Sequence, residues 1–170
     1  MDKMKTVHIF DFDGTLVDSP LPQEGKVMFT RITGRAYPYQ GWWGREESLL
    51  PEYDIKPIPL VHEAYTEAKI NGDAVVLLTN RMSKLERHVV HVTNSLGMVF
   101  DQYSFKYDHR TKSDRARDII VRHFPEVDIV HVWEDMDEHV LDFRSLETKL
   151  RALDDTKIIE VVIHKVPFRG

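Results

Sequence analysis

Five short apolar, β-branched segments alternate along this chain with stretches of helical periodicity, and that alternation restricts the fold more than any other feature. The strand-like segments are Thr6–Phe10, 74–79, Gln102–Lys106, 129–133 and 158–164. Helical patterns cover 58–71, 83–96, 113–124 and 136–153, with Asn71-Gly72, Gly97 and Pro125 as stop signals for the first three. In the last, Val140, Leu141, Phe143, Leu146, Leu150 and Leu153 form one apolar stripe. Strands separated by helices predict an α/β fold, a mostly parallel five-stranded sheet with helices on both faces. Ligands of such sheets bind beyond the carboxyl ends of the strands. Asp13, Thr79, Lys106 and Trp133 are then expected near one edge.

Residues 18–57 break the alternation. They hold Pro20, Pro22, Pro38, Pro51 and Pro57, the glycines Gly34, Gly41 and Gly44 among others, and the aromatic run Tyr37-Pro38-Tyr39-Gln40-Gly41-Trp42-Trp43. A long irregular connection inside a compact domain is usually functional. The stretch reads as an insertion packed over the site, within a single domain spanning residues 1–170. Nothing in it is long or polar enough to act as a linker between two domains.

The first strand ends in Phe10-Asp11-Phe12-Asp13-Gly14-Thr15. Residues two apart on an extended strand face the same way, so Asp11 and Asp13 share a site while the phenylalanines turn elsewhere. Two carboxylates held together repel, and a hard divalent cation with oxygen ligands relieves the repulsion. Gly14 permits a sharp turn that exposes backbone amides to an anion. At the end of the second strand, Thr79-Asn80-Arg81 places a hydroxyl, an amide and a guanidinium in sequence, a set able to grip phosphate oxygens.

The run Asp-Phe-Asp-Gly-Thr-Leu after an apolar strand resembles the first motif of the haloacid dehalogenase (HAD) superfamily of phosphatases. Thr79 is similar to the second motif, a Ser or Thr ending the second core strand. Lys112, opening a helix after the third strand, stands where the family keeps a lysine, with Lys106 as the rival. Glu134-Asp135, after the fourth apolar strand, resembles the acidic fourth motif, although the family more often carries Asp-Asp or Gly-Asp there. The resemblance spans residues 5–142 and implies a Rossmann-like core with a short cap, 18–57.

It further implies a Mg2+-dependent phosphomonoesterase. Asp11 is the expected nucleophile and Asp13 the acid and base, with Thr79 and Lys112 positioning the phosphoryl group. The metal would lie among Asp11, Asp13 (through its backbone carbonyl), Asp135 and Glu134, with Asp135 favoured as direct ligand. The second Asp argues for phosphate ester hydrolysis over dehalogenation. A receiver domain also uses Asp, Thr and Lys, but its acceptor Asp sits on a middle strand, where this chain has Leu77-Leu78-Thr79.

The substrate is less constrained. The insertion interleaves Phe29, Tyr37, Tyr39, Trp42 and Trp43 with Lys26, Arg31, Arg35 and Arg45, and the loop 106–112 adds Arg110. Aromatic faces beside cations suit bases and backbone phosphates. The Trp-Trp insertion, Leu-Leu-Thr-Asn-Arg and Trp-Glu-Asp-Met-Asp-Glu-His together resemble the RNA-repair-associated "Swiss army knife" HAD group and the phosphatase half of polynucleotide kinase-phosphatases. That likeness implies nucleic-acid end phosphates as substrate, with Asn80, Arg81, Arg110, Trp42 and Trp43 as contacts. A small nucleotide or sugar phosphate, or a non-catalytic phosphate-binding module, are the alternatives. No Gly-rich Lys-Ser/Thr loop is present, so no kinase half is encoded here.

Composition removes several other classes. Net charge is −5, which gives no support for non-specific nucleic-acid binding through global charge. Cysteine is absent, excluding disulfides, thiolate metal sites and a cysteine nucleophile. The opening residues, soon interrupted by Asp11, do not read as a signal peptide, and no apolar run is long enough to span a bilayer. These readings lead to the expectation of a cytoplasmic protein with no membrane partner.

Overall fold

The computed structural model describes residues 5–154 and 158–169, so the reading of the first four residues lies outside it. The elements run β1 (Thr6–Phe10), α1 (Pro22–Thr33), α2 (Pro59–Ile70), β2 (Ala74–Met82), α3 (Glu86–Ser95), β3 (Gln102–Lys106), α4 (Lys112–His123), β4 (Ile129–Glu134), α5 (Asp137–Phe143), α6 (Leu146–Arg151) and β5 (Glu160–Lys165). All four strand pairings are parallel, in the order β3-β2-β1-β4-β5. From β1 the chain winds outward through β2 and β3, then crosses back to β4 and β5. The direction therefore reverses between β1 and β4, which opens a crevice at their carboxyl ends. Among the described residues, no helix is long and apolar enough to cross a membrane.

Alternation along the strands assigns side chains to the two faces. Phe10, Val75 and Leu77 face one core, packed by Val61, Tyr65 and Ala68 of α2 and Val89 and Val92 of α3. Val7, Ile9, Val76, Leu78, Val130 and Val132 face the other, packed by Ala116, Ile120, Phe143, Leu146 and Leu150. Both faces being covered explains the continuous apolar run 74–78 in β2.

Two sequence expectations change. The predicted helix 136–153 is two helices, because Ser145 turns its hydroxyl back onto the Asp142 carbonyl at 2.6 Å and competes with helix continuation. The break leaves Leu141 and Leu153 exposed, while Phe143, Leu146 and Leu150 stay buried. Residues 18–57 are also less irregular than their prolines suggest, since 22–33 form α1. Pro22 occupies its first turn, where the missing N–H is harmless. Gly25 in that helix is required by contact: a Cβ there would lie 2.1 Å from the Trp42 ring.

Candidate active site

The site grows from the end of β1. Asp11 continues the ladder by donating its N–H to Trp133 O, and the chain then folds tightly, with Leu16 and Val17 both donating to Phe12 O. Gly14 takes φ 74° in this turn, and a Cβ on it would sit 2.4 Å from Asp135 Oδ2. Glycine is needed both for the left-handed backbone and for the close approach. Thr15 donates its hydroxyl to Asp11 Oδ2 at 2.9 Å and lies 3.3 Å from Asp135 Oδ1, so it ties the two carboxylates together.

Lys112 is the first residue of α4, and Thr111 caps that helix by accepting from Asp114 N. Its Nζ donates to Asp11 Oδ1 at 2.8 Å and to Glu134 Oε2 at 2.7 Å, fully buried between them. The lysine of the site is therefore Lys112; Lys106 is exposed. Glu134 uses its other oxygen to accept from Asp135 N and Met136 N. Both Glu134 oxygens are thus engaged by the protein, while Asp135 lines the cavity.

Electrostatics follow from burial. Two carboxylates pair with one ammonium and a third, Asp135, lies beside them, leaving excess negative charge out of water. Burial drives the Asp11 carboxyl above its ordinary range, with Lys112 opposing that shift. Burial, then Asp11, push Asp135 up to about 8. For Lys112, burial works against the charged form, but Asp11 and Glu134 outweigh it and hold the ammonium above the usual lysine value. Oxygens of Asp11, Glu134 and Asp135 lie within 4.8 Å of one another. An oxygen-only, net-negative donor set of this kind fits a hard divalent cation.

Asp13 is held differently. Arg81 forks onto it, Nε to Oδ2 at 2.8 Å and Nη2 to Oδ1 at 2.9 Å, and Ser19 donates to Oδ1 at 2.6 Å. The remaining Arg81 nitrogen donates to Trp43 O and Ser48 Oγ, each at 2.6 Å. The carboxylate of Asp13 is outside the acidic cluster, and Arg81, expected on substrate, spends its donors on Asp13 and the insertion.

A cavity of about 470 Å³ gathers Asp11, Asp13, Gly14, Thr79, Asn80, Arg81, Lys112 and Asp135. Thr79 Oγ1 accepts from Arg81 N at 3.0 Å, which leaves the hydroxyl hydrogen free to donate. Trp43 reaches the cavity wall and is 38% exposed.

Two expected contacts lie elsewhere. Trp42 is buried in the core, donates Nε1 to Pro20 O at 2.9 Å and packs at a tilt against Tyr37 and Tyr53. Arg110 is drawn away by Asp108 and Asp118 and lines a separate groove. The insertion's cations also meet its own aromatics, Lys26 over Tyr37, Arg35 over Phe29 and Arg45 over Tyr39, so part of that surface is satisfied internally.

Sequence reasoning missed Leu21, Pro22, Met136, Phe168 and Arg169 on the wall. The last two carry no local signal. They arrive because Val166 N donates to Glu134 O and Arg169 bonds Ser19 O and Asp18, drawing the chain after β5 across to the insertion. His139, weighed above only as part of the run after β4, also reaches the wall, 3.5 Å from Asn80 Nδ2.

No protein-family model matches the sequence, and no curated protein matches it. Solved structures do match in three dimensions. A class C acid phosphatase from Bacillus anthracis, solved with tungstate bound, superposes with a TM-score of 0.60 at 17% identity, covering 99% of this chain and 70% of that one. A chain of the Pnkp1/Rnl/Hen1 complex, which is an RNA repair complex, gives 0.58 at 16% identity. It is matched over 98% of this chain, which spans just under half (47%) of its length. A haloacid dehalogenase-like hydrolase from Streptococcus pneumoniae gives 0.54 at 16%, covering 95% and 94%. The fold is that of the HAD-like phosphatases.

Proposed function

We propose that this HAD-fold chain is a Mg2+-dependent phosphomonoesterase that works through an aspartyl-phosphate on Asp11 and acts on the terminal phosphates of nucleic acids. One observation carries the chemistry: Asp11 sits on the cavity floor with Lys112 at 2.8 Å, while Asp13 stands beside it in the same cavity under a different cation.

In the first step an Asp11 oxygen bonds phosphorus as the ester P–O bond breaks, and Asp13 gives its proton to the leaving oxygen. In the second, water attacks phosphorus, its proton passes to Asp13, and the Asp11–phosphorus bond breaks to release phosphate. Lys112 and Thr79 stabilise the phosphoryl oxygens. Asp11, Asp135 and the Asp13 carbonyl would hold magnesium, which supplies positive charge against the phosphoryl group. Residues 18–57 act as the cap: they bring Trp43, Leu21 and Pro22 to the cavity wall.

Nucleic-acid ends are favoured by the exposed aromatics Trp43 and Phe168 at the cavity, which offer faces for bases, and by the likeness to the RNA repair chain. A small phosphate ester is the second reading, favoured by a cavity of about 470 Å³, enough for one small ligand. Phosphate release from an oligonucleotide bearing a 3′- or 5′-phosphate, against a small aryl phosphate, separates them, with Asp11→Asn as the blank. Release from an oligonucleotide supports the first. Turnover of the aryl phosphate alone supports the second. No release from either overturns the phosphatase reading.

A further inference from the structure

The β2–β3 ladder contains a break. Val76, Leu77 and Leu78 pair with Gln102, Tyr103 and Ser104, and the next pair is Met82 with Lys106. Thr79, Asn80 and Arg81 therefore stand opposite Phe105 alone. These three are the residues that β2 presents to the cavity. A break of this size strips backbone groups of their ladder partners, and a buried backbone group must find another.

Arg115 fills the break. Its Nη2 donates to Thr79 O at 2.6 Å and to Ser104 O at 3.0 Å, one carbonyl on each strand. Its Nε donates to Ser104 Oγ at 3.1 Å, and its Nη1 to Asn80 Oδ1 at 2.8 Å. The side chain is 3% exposed and, among the described residues, makes no ion pair. An arginine buried on carbonyl and amide oxygens is unusual, because a buried charge is normally paired. Burial lowers its pKa to about 10, so it remains charged at neutral pH.

The contact to Asn80 has a chemical consequence. Arginine only donates, so the Asn80 oxygen must face it and the Asn80 NH2 must face away. Asn80 is exposed on the cavity wall, and its Nδ2 lies on the side of His139. Resting on the phosphatase reading, we propose that Arg115 is a positioning residue: it bridges the broken β2–β3 ladder and orients Asn80, so that Asn80 Nδ2 and the Thr79 hydroxyl both donate to the substrate's phosphoryl oxygens.

Orthovanadate, a phosphate-shaped anion, tests this without requiring turnover. The protein supplemented with magnesium is titrated calorimetrically, and Arg115→Gln, Asn80→Ala and the double variant are compared. Arg115→Gln and Asn80→Ala should each weaken binding about tenfold, and the double variant should be no weaker than either alone, because one acts through the other. Millimolar guanidinium should restore binding to Arg115→Ala.

Asn80→Asp guards against a misfolded arginine variant. It keeps an acceptor for Arg115 and gives that cation a carboxylate partner, so the protein should melt no lower than wild type while binding vanadate at least about tenfold more weakly. A purely structural role for Arg115 would lower the melting temperature and leave the affinity of the folded fraction unchanged. That result overturns the proposal. Additive losses in the double variant, or wild-type affinity in Asn80→Asp, do the same. A wild-type protein that binds no vanadate overturns the phosphatase reading and this inference together.

Discussion

Asp11 and Asp13 stand two residues apart, yet each is held by a different part of the molecule. Asp11 is buried among groups carried by the sheet and α4: Lys112, Thr15 and, across the lysine, Glu134. Asp13 keeps a side chain 21% exposed and is held by Arg81 and Ser19, and Arg81 is in turn bonded to the insertion through Trp43 and Ser48. The first carboxylate is thus set by the core, the second by the joint between core and insertion. Identical side chains acquire different work from their neighbours, as burial and partner charge dictate. In the proposed reaction the nucleophile, Asp11, needs a fixed position, which the sheet supplies. The proposed acid and base, Asp13, answers to the insertion and would sense what the insertion binds.

The largest expected effect tests that division at the carboxylates. Asp11→Asn should lower kcat more than about 10⁴-fold and leave no trapped phosphoenzyme, whereas Asp13→Asn should lower it about 10²–10⁴-fold and still form the phosphoenzyme. Equal loss of the intermediate in both would dissolve the distinction.

The cations come next. Lys112→Met leaves Asp11 and Glu134 buried without their shared partner and should cost about 3–5 kcal/mol in chemical denaturation. Arg81→Met strips a carboxylate that still reaches water and should cost less, about 1–3 kcal/mol. The adjacent tryptophans sharpen the same contrast between core and cavity. Trp42→Ala should cost about 3–5 kcal/mol, while Trp43→Ala should stay within about 1 kcal/mol of wild type and slow the oligonucleotide more than an aryl phosphate.

The smallest effect lies away from both carboxylates. His8 stacks on His131, and His131 Nδ1 lies 2.9 Å from His164 Nε2. Burial lowers all three pKa values, with Asp73 opposing the shift at His8, and Asp73 and Glu160 opposing it at His131. The fold prefers these rings neutral. Their contribution is whole above the ordinary histidine value of about 6.5 and is lost as pH falls through the lowered values. Asp135, raised to about 8 by burial, pulls stability the other way over the same range, so the trio is read as a difference: as pH falls from 7.5 to 5.5, His164→Phe, which keeps a ring on Trp133, should gain melting temperature relative to wild type. An unchanged slope in the variant would remove His164 from the account.

Much of the strand pattern was legible because β-branched and aromatic residues cluster in short runs between helical stretches, most plainly in the continuous apolar start of β2, residues 74–78. Thr6–Phe10 and Gln102–Lys106 match their expected bounds, and the other three strands differ by up to three residues at an end. Helices were less legible where local polar competition decided the outcome, as Ser145 does between α5 and α6. Lys112 and Lys106 were equal in composition and became distinct only in space, since one opens a helix aimed at Asp11 and the other ends a strand in solvent.

The order of residues by itself determined the chemistry available: two carboxylates at a strand end, a glycine turn, a hydroxyl, a lysine and an acidic pair, spaced by units that must fold as β and α. Those are local facts, set by periodicity and by residue type. Tertiary structure alone decided the partnerships: Arg81 to Asp13, Arg115 to the broken ladder, Trp42 to the core, Phe168 and Arg169 to the cavity. The physical reason is range. Backbone preferences act over a few residues, whereas a buried charge takes its partner from whatever the packed fold brings within about 3 Å of it.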